Sequence, residues 1–128
     1  MPTNKPLEKS IENVLRKAVE DEGGVCLKWT CPGHRGVPDR MILFPGGIIA
    51  FVELKRPGAK VKAGGLQEWW RQRLVGFGFR CYEISTVEQI QQLVFQLSTE
   101  SFALTTSYAD DDYDDWADDE GWPYEIDD

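Results

Sequence analysis

Three ionisable residues, Asp39, Glu53 and Lys55, flank an apolar stretch within the segment GVPDRMILFPGGIIAFVELKRPG. Charged side chains on a buried sheet cost on the order of several kcal/mol unless something pairs with them. The Pro-Gly-Gly in this segment predicts a hairpin turn centred on Gly46. Antiparallel partners then have residue numbers that sum to about 92, which places Asp39 opposite Glu53.

This pairing brings three charges to one place. Opposed side chains have Cβ atoms roughly 4.5–5.5 Å apart, and Glu53 and Lys55 share a face by the period of two. Two carboxylates so close repel each other unless a cation or a shared proton intervenes. Oxygen ligands favour Mg²⁺ or Mn²⁺, and such an ion beside a lysine suits phosphodiester hydrolysis. A surface salt-bridge cluster is the alternative, and these three residues alone do not decide.

Charge is distributed unevenly along the 128 residues. The net charge is −8, yet all 14 Lys and Arg residues precede Glu100, whereas twelve of the 22 acidic residues lie from Glu100 onward. Residues 1–99 therefore carry +4, and the remainder carries −12. We predict a basic domain over 1–98 and an acidic, aromatic-containing tail over 99–128.

Cysteine usage and hydropathy indicate a cytoplasmic protein with no membrane partner. The three cysteines are an odd number, no signal-peptide pattern is visible, and the longest apolar run, 48–52, is far short of the roughly 20 residues that span a bilayer. The spacing of Cys26, Cys31 and His34 invites a zinc site, but His34 is the only histidine and no paired C-x-x-C occurs. Buried or incidental thiols are the favoured interpretation.

Periodicity predicts an α/β domain with the order α-β-β-β-α-β-α, a mixed sheet flanked by helices. A capping-box pattern, Ser85 to Glu88, introduces the last helix, which carries Val87. The predicted helices are Pro6–Asp21, Ala63–Phe77 and one that follows the capping box, and the predicted strands are Val25–Trp29, Met41–Phe44, Ile48–Leu54 and Arg80–Ile84.

Three segments in this order, GVPDRMIL, FVELKRPG and LQEWW, resemble the VRR-NUC branch of the PD-(D/E)XK nuclease superfamily, over about residues 6–90. The resemblance implies a restriction-endonuclease-like core and DNA cleavage that depends on Mg²⁺ or Mn²⁺. For short viral and bacterial members it implies resolution of four-way (Holliday) junctions by a homodimer, in recombination and repair. A larger eukaryotic member of the family prefers flaps, so a flap or nicking nuclease is the alternative.

The resemblance also implies residue roles. Asp39 and Glu53 correspond to metal ligands, Leu54 offers its carbonyl to the metal, and Lys55 is the catalytic lysine. Gln67 is the family glutamine, at the start of the second helix.

A glutamate on the first helix belongs to the family pattern, and the sequence offers two candidates for it, Glu8 and Glu12. They lie one helical turn apart on the same side. Glu8 is favoured as a catalytic and metal-binding residue because Glu8 and Ile11 satisfy the pattern E-x-x-I. Either glutamate could instead be a solvated helix residue.

Basic residues beside the motifs are candidate phosphate contacts, although scattered Lys and Arg often serve only solubility. No groove-reading module is visible, so recognition of DNA shape is expected. Trp69 and Trp70 could stack on bases, but adjacent tryptophans more often divide between core and an interface, and we expect the dimer face there. The candidate DNA-binding residues are His34, Arg35, Arg40, Arg56, Lys60 and Lys62.

The acidic tail has two interpretations. Its composition is typical of a disordered solubilising segment. Its interleaved Tyr and Trp residues instead suggest docking on a basic surface of the same subunit or of a partner. A rival hypothesis for the whole chain is a non-catalytic, acidic DNA mimic or interaction protein. A nuclease fold without turnover is a further rival, disfavoured because a dead site has no need of Asp39, Glu53, Lys55 and Gln67 together.

Overall fold

The computed structural model describes residues 4–56 and 65–106, with side chains from residue 9 onward. The predicted DNA contacts Lys60 and Lys62 lie outside the described residues, as does the tail segment 107–128. None of the described helices is long and apolar enough to cross a membrane.

Three helices and four strands follow the predicted order and build a mixed α/β fold. The sheet has the order β1-β2-β3-β4, antiparallel except for the parallel pair β3 and β4. The parallel pair is joined by a crossover that contains α2, as parallel strands require. The elements are α1 (Asn4–Asp21), β1 (Val25–Lys28), β2 (Arg40–Phe44), β3 (Ile48–Leu54), α2 (Leu66–Gly76), β4 (Arg80–Ile84) and α3 (Val87–Thr106).

The predicted hairpin register is confirmed. Arg40 pairs with Val52, and each later pair keeps the same sum of residue numbers. Gly46 and Gly47 turn the chain at φ values of 94° and 80°, a region that glycine adopts without steric cost. Asp39 and Glu53 flank the pair of Arg40 with Val52 on the side away from the turn, and their side chains are in contact.

The core lies between the sheet and the pair of helices α1 and α3. Alternation along β3 sends Ala50 and Val52 into this core and leaves Glu53 on the opposite face of the sheet. The hydroxyl of Ser101, which is buried in α3, donates to the Pro45 carbonyl at 2.7 Å and ties α3 to the hairpin turn. The largest fully buried side chains are Leu15, Val19, Ile42, Val52, Ile90 and Leu97.

The start of α3 differs from the prediction by one residue. The Thr86 hydroxyl accepts the Gln89 N–H at 3.1 Å, and the Gln89 side-chain oxygen accepts the N–H groups of Thr86 and Ser85. The capping box is therefore Thr86 with Gln89, and the predicted pair of Ser85 with Glu88 is wrong. Both pairs have the required spacing, but Gln89 satisfies two backbone donors at once.

The end of α3 extends into the segment that we assigned to the tail. Residues 99–106 continue the helix to Thr106. Within this extension Glu100 forms a bidentate ion pair with Arg80 of β4, which lowers the pKa of Glu100. The acidic segment that follows this helix thus begins at about residue 107.

We expect Leu97→Ala to lower the free energy of unfolding by about 2–5 kcal/mol, because it removes a fully buried side chain and leaves a cavity. Phe95→Ala, two residues earlier in α3, is the matched control, since Phe95 is 73% exposed and should change stability by no more than about 0.5 kcal/mol. Urea unfolding followed by circular dichroism measures both. Equal effects of the two substitutions would contradict this packing of α3.

Candidate active site

Backbone hydrogen bonds position Asp39 at the base of the hairpin. The Trp29 N–H donates to the Asp39 carbonyl at 2.8 Å and extends the pairing of β1 with β2. The Leu54 N–H donates to Asp39 Oδ2 at 2.9 Å. The Asp39 carboxylate is therefore held against the end of β3, beside Glu53.

A hydrogen-bonded chain joins Lys55, Gln67 and Glu53. Lys55 Nζ donates to Gln67 Oε1 at 2.6 Å, and Gln67 Nε2 donates to Glu53 Oε2 at 2.9 Å. Lys55 Nζ also lies 3.6 Å from the Glu53 carboxylate. The amide of Gln67 can satisfy a cation and an anion together because it carries both an acceptor and donors. The structure thus places Gln67 between Glu53 and Lys55, and its role at the site stays a prediction.

Gly36 allows the loop before Asp39 to approach the start of α2. Its φ is 89°, and a Cβ at this position would lie 2.6 Å from the Leu66 Cβ. On the same loop, the His34 ring meets the Trp70 ring edge to face, with centroids 5.8 Å apart. The close approach fixes the first turn of α2 and, with it, Gln67.

The two carboxylates are electrostatically coupled. Burial raises the pKa of Glu53 to about 7, and the charge of Asp39 adds to the rise, which Lys55 partly offsets. A carboxyl group with such a pKa requires either a proton or a nearby cation to be stable at neutral pH.

The donor set at this position suits a hydrated, oxygen-preferring divalent ion. Mg²⁺ usually takes one or two carboxylates and keeps several waters. Asp39 and Glu53 would supply the carboxylates, and the Leu54 carbonyl is the predicted third protein ligand. Among the described residues, no group of three or more His, Cys, Asp or Glu side chains is placed so that it could hold a metal ion, and this includes Cys26, Cys31 and His34.

Of the two candidate glutamates on α1, the structure describes the side chain of Glu12. The Glu12 carboxylate accepts a hydrogen bond from the Arg40 guanidinium and lines the same groove as Asp39. Glu8 lies one turn earlier in α1, and its side chain is outside the described part of the chain. The assignment of Glu8 to the site stays a prediction.

The predicted DNA contacts occupy different environments. His34, Arg35 and Arg56 are exposed, as a phosphate contact requires. The Arg40 side chain is only 13% exposed and is paired with Glu12, so it links β2 to α1. A DNA contact by Arg40 would have to share or break that ion pair.

The two adjacent tryptophans pack against each other, with ring centroids 5.0 Å apart. Trp69 is 49% exposed, and the Arg73 guanidinium lies 5.3 Å from its ring centroid and from that of Phe77. Trp70 is half-buried against His34. The α2 surface around Trp69 therefore remains open to an interface.

Sequence reasoning missed an aromatic row beneath the site. Trp29 packs on Phe51 at 4.9 Å between ring centroids, and Phe51 meets Phe79 at 5.6 Å. Alternation along β3 places Phe51 on the same face as Glu53, and this could have revealed the row. Glu83 is also close to the site, since it pairs with Glu53 across β3 and β4.

The fold is similar to that of a solved structure described as a VRR_NUC domain. The similarity has a TM-score of 0.62 and 25% sequence identity, and it covers 68% of this chain and 92% of that chain. No family model matches the sequence. The structural similarity defines the class, a nuclease.

A relative in sequence points the same way. A protein of Acyrthosiphon pisum secondary endosymbiont phage 1, described as "Putative nuclease p44", is 45% identical over 69 residues, which are 54% of this chain and 74% of that protein. The chain belongs to the VRR-NUC family, as its three motifs predicted.

The raised pKa of Glu53 predicts a pH-dependent stability in metal-free buffer. The folded chain retains the Glu53 proton up to about pH 7, whereas the unfolded chain loses it near the ordinary value of 4.5. The Glu53 contribution to the free energy of unfolding should therefore fall as pH rises between these values. Glu53→Gln should remove this loss and be more stable than the wild type at pH 8.

Urea unfolding in EDTA from pH 4.5 to 8 measures this contribution as the difference between wild type and Glu53→Gln. Glu88→Gln, which removes an exposed carboxyl group from the first turn of α3, is the control. If the free energies of unfolding of wild type and Glu53→Gln differ by the same amount at every pH, the pKa of Glu53 is not raised in the folded chain.

Proposed function

We propose that the protein is a structure-selective DNA endonuclease that depends on Mg²⁺ or Mn²⁺ and acts as a homodimeric resolvase of four-way junctions. The observation that carries this proposal is the contact network at the hairpin base. Asp39 and Glu53 converge there, and Gln67 links Glu53 to Lys55. Family membership supports nuclease activity, and the resemblance of the motifs supports the finer choice of substrate.

The side chains divide the work of phosphodiester hydrolysis. Asp39, Glu53 and the Leu54 carbonyl would hold the ion, with Glu8 completing the site from α1. The bound ion would polarise a phosphoryl oxygen and lower the pKa of a bound water. Lys55 would stabilise the negative charge that develops on the phosphoryl oxygens. Gln67 positions Lys55, because Gln67 Oε1 accepts a hydrogen bond from the Lys55 ammonium group at 2.6 Å.

Lys55 and the metal ligands should respond differently to substitution. Asp39→Asn and Glu53→Gln should each lower Mg²⁺-dependent cleavage by orders of magnitude while the fold persists, because each removes a charged ligand. Lys55→Ala should retain DNA affinity and lose turnover, because its charge acts mainly in the transition state. Cleavage of labelled DNA and binding by anisotropy in Ca²⁺ measure the two effects separately.

Glu88→Gln is again the control and should cleave at the wild-type rate. Near-normal Mg²⁺-dependent cleavage by both Asp39→Asn and Glu53→Gln would overturn the proposed active site. If Lys55→Ala weakens DNA affinity and leaves turnover unchanged, Lys55 is a phosphate contact and not a catalytic residue.

Substrate choice and oligomeric state are linked. Two symmetric incisions in a four-way junction need two active sites, and one chain supplies one site, so we expect a dimer with two-fold symmetry. The exposed α2 surface at Trp69 is the proposed interface. A panel of four-way junction, flap, duplex and single strand in Mg²⁺, with light scattering at micromolar concentration, tests both. A monomer that prefers flaps or nicks one strand would refute the resolvase and favour the alternative nuclease.

A further inference from the structure

An open groove of about 460 Å³ leads to the candidate active site from the side of α1 and β1. Asp39 and Leu54, two proposed metal ligands, are among the residues that line it. We call it the α1–β1 groove; its remaining walls are formed by Lys9, Glu12, Lys28, Trp29, Thr30 and Arg40. Of the described residues that we assigned to DNA contact from the sequence, Arg40 lines this groove, whereas His34, Arg35 and Arg56 do not.

Two lysines of the α1–β1 groove have no acidic partner among the described residues. Arg40 and Glu12 neutralise each other, and Asp39 is a proposed metal ligand. Lys9 on α1 and Lys28 at the end of β1 are exposed, and neither forms an ion pair with any residue that the structure describes. The rim of the groove therefore presents two cations to an anionic ligand.

A second opening beside the site, which Glu53 itself lines, is acidic and narrow. The space between α2 and β4 is lined by Glu53, Glu68 and Glu83, with a volume of only about 20 Å³. Arg71, which also lines it, lies 3.6 Å from the Glu68 carboxylate. A phosphate backbone would meet like charge on this side, so the two approaches to the site are not equivalent.

Trp29 gives the α1–β1 groove a rigid apolar wall. The Trp29 ring packs against the Phe51 ring, with centroids 4.9 Å apart, and the Trp29 backbone N–H donates a hydrogen bond to the Asp39 carbonyl. A nucleic-acid strand offers both the phosphates that lysines contact and the apolar sugar and base faces that pack on an aromatic ring.

We infer that the α1–β1 groove carries the DNA strand to the active site, with Lys9 and Lys28 as phosphate contacts and Trp29 as the packing wall. This inference rests on the proposed function and adds to it the side from which the substrate enters. Lys9 and Lys28 are binding residues and take no part in the chemical step.

The test compares two double variants of equal charge change. Lys9→Ala with Lys28→Ala should weaken DNA binding at least tenfold at 0.1 M salt and reduce the slope of log affinity against log salt by about 2, because two phosphate contacts are lost. Arg16→Ala with Lys17→Ala is the control on α1; both of its side chains are exposed and paired with Glu20 and Asp21. The control should bind within about twofold of wild type, since exposed charges beyond roughly 10 Å are screened.

Anisotropy of a labelled junction in EDTA measures binding, and cleavage in Mg²⁺ should show a raised KM with an unchanged kcat for the groove variant. Lys9→Arg with Lys28→Arg should restore the affinity. If the groove variant keeps the wild-type affinity and salt slope, or if the control loses as much, the groove assignment is overturned while cleavage by the wild type still supports the proposed function. A wild type that cleaves no DNA with Mg²⁺ or Mn²⁺ would overturn the proposed function itself.

Discussion

Repulsion between two neighbouring carboxylates is the constraint on which the candidate site depends. Asp39 and Glu53 are brought together by the hairpin register, and burial raises the pKa of Glu53 to about 7. Folding therefore creates a position where a second negative charge is costly and a cation is favoured. Hydrophobic packing of the other sheet face, where Val52 and Leu54 are buried, holds β3 in place against this repulsion.

The hairpin and α2 must come together to satisfy this position. The hairpin provides Asp39 and Glu53, β3 runs on to Lys55, and α2 provides Gln67, whose amide lies between the cation and the anion. Gly36 makes the arrangement possible because a side chain there would collide with Leu66 and displace the first turn of α2. The need for glycine at position 36 thus controls the position of the Gln67 side chain on α2.

Some of this could be predicted from the sequence because it follows from local rules. The period of two and the turn at Gly46 fixed which residues oppose each other, so the approach of Asp39 to Glu53 followed from arithmetic. The position of Gln67 was predicted only through the family resemblance, since no local sequence pattern indicates that a residue of α2 contacts the end of β3. The pairing of Arg40 with Glu12 was missed because it joins two elements 28 residues apart. The predicted capping box was wrong by one residue because Ser85 with Glu88 and Thr86 with Gln89 have the same spacing.

Net charge is a poor guide to the substrate of this protein, and the described surface explains why. The whole chain carries −8, which by itself argues against nucleic acid. Charges act on a phosphate strand mainly within a Debye length of roughly 8–10 Å at physiological salt. The two openings beside the site differ in charge: Lys9 and Lys28 line the α1–β1 groove, and Glu68 and Glu83 line the opening between α2 and β4. Local asymmetry of this kind can orient an anionic strand across the site even in an acidic protein, since the acidic wall repels the strand that the basic rim attracts.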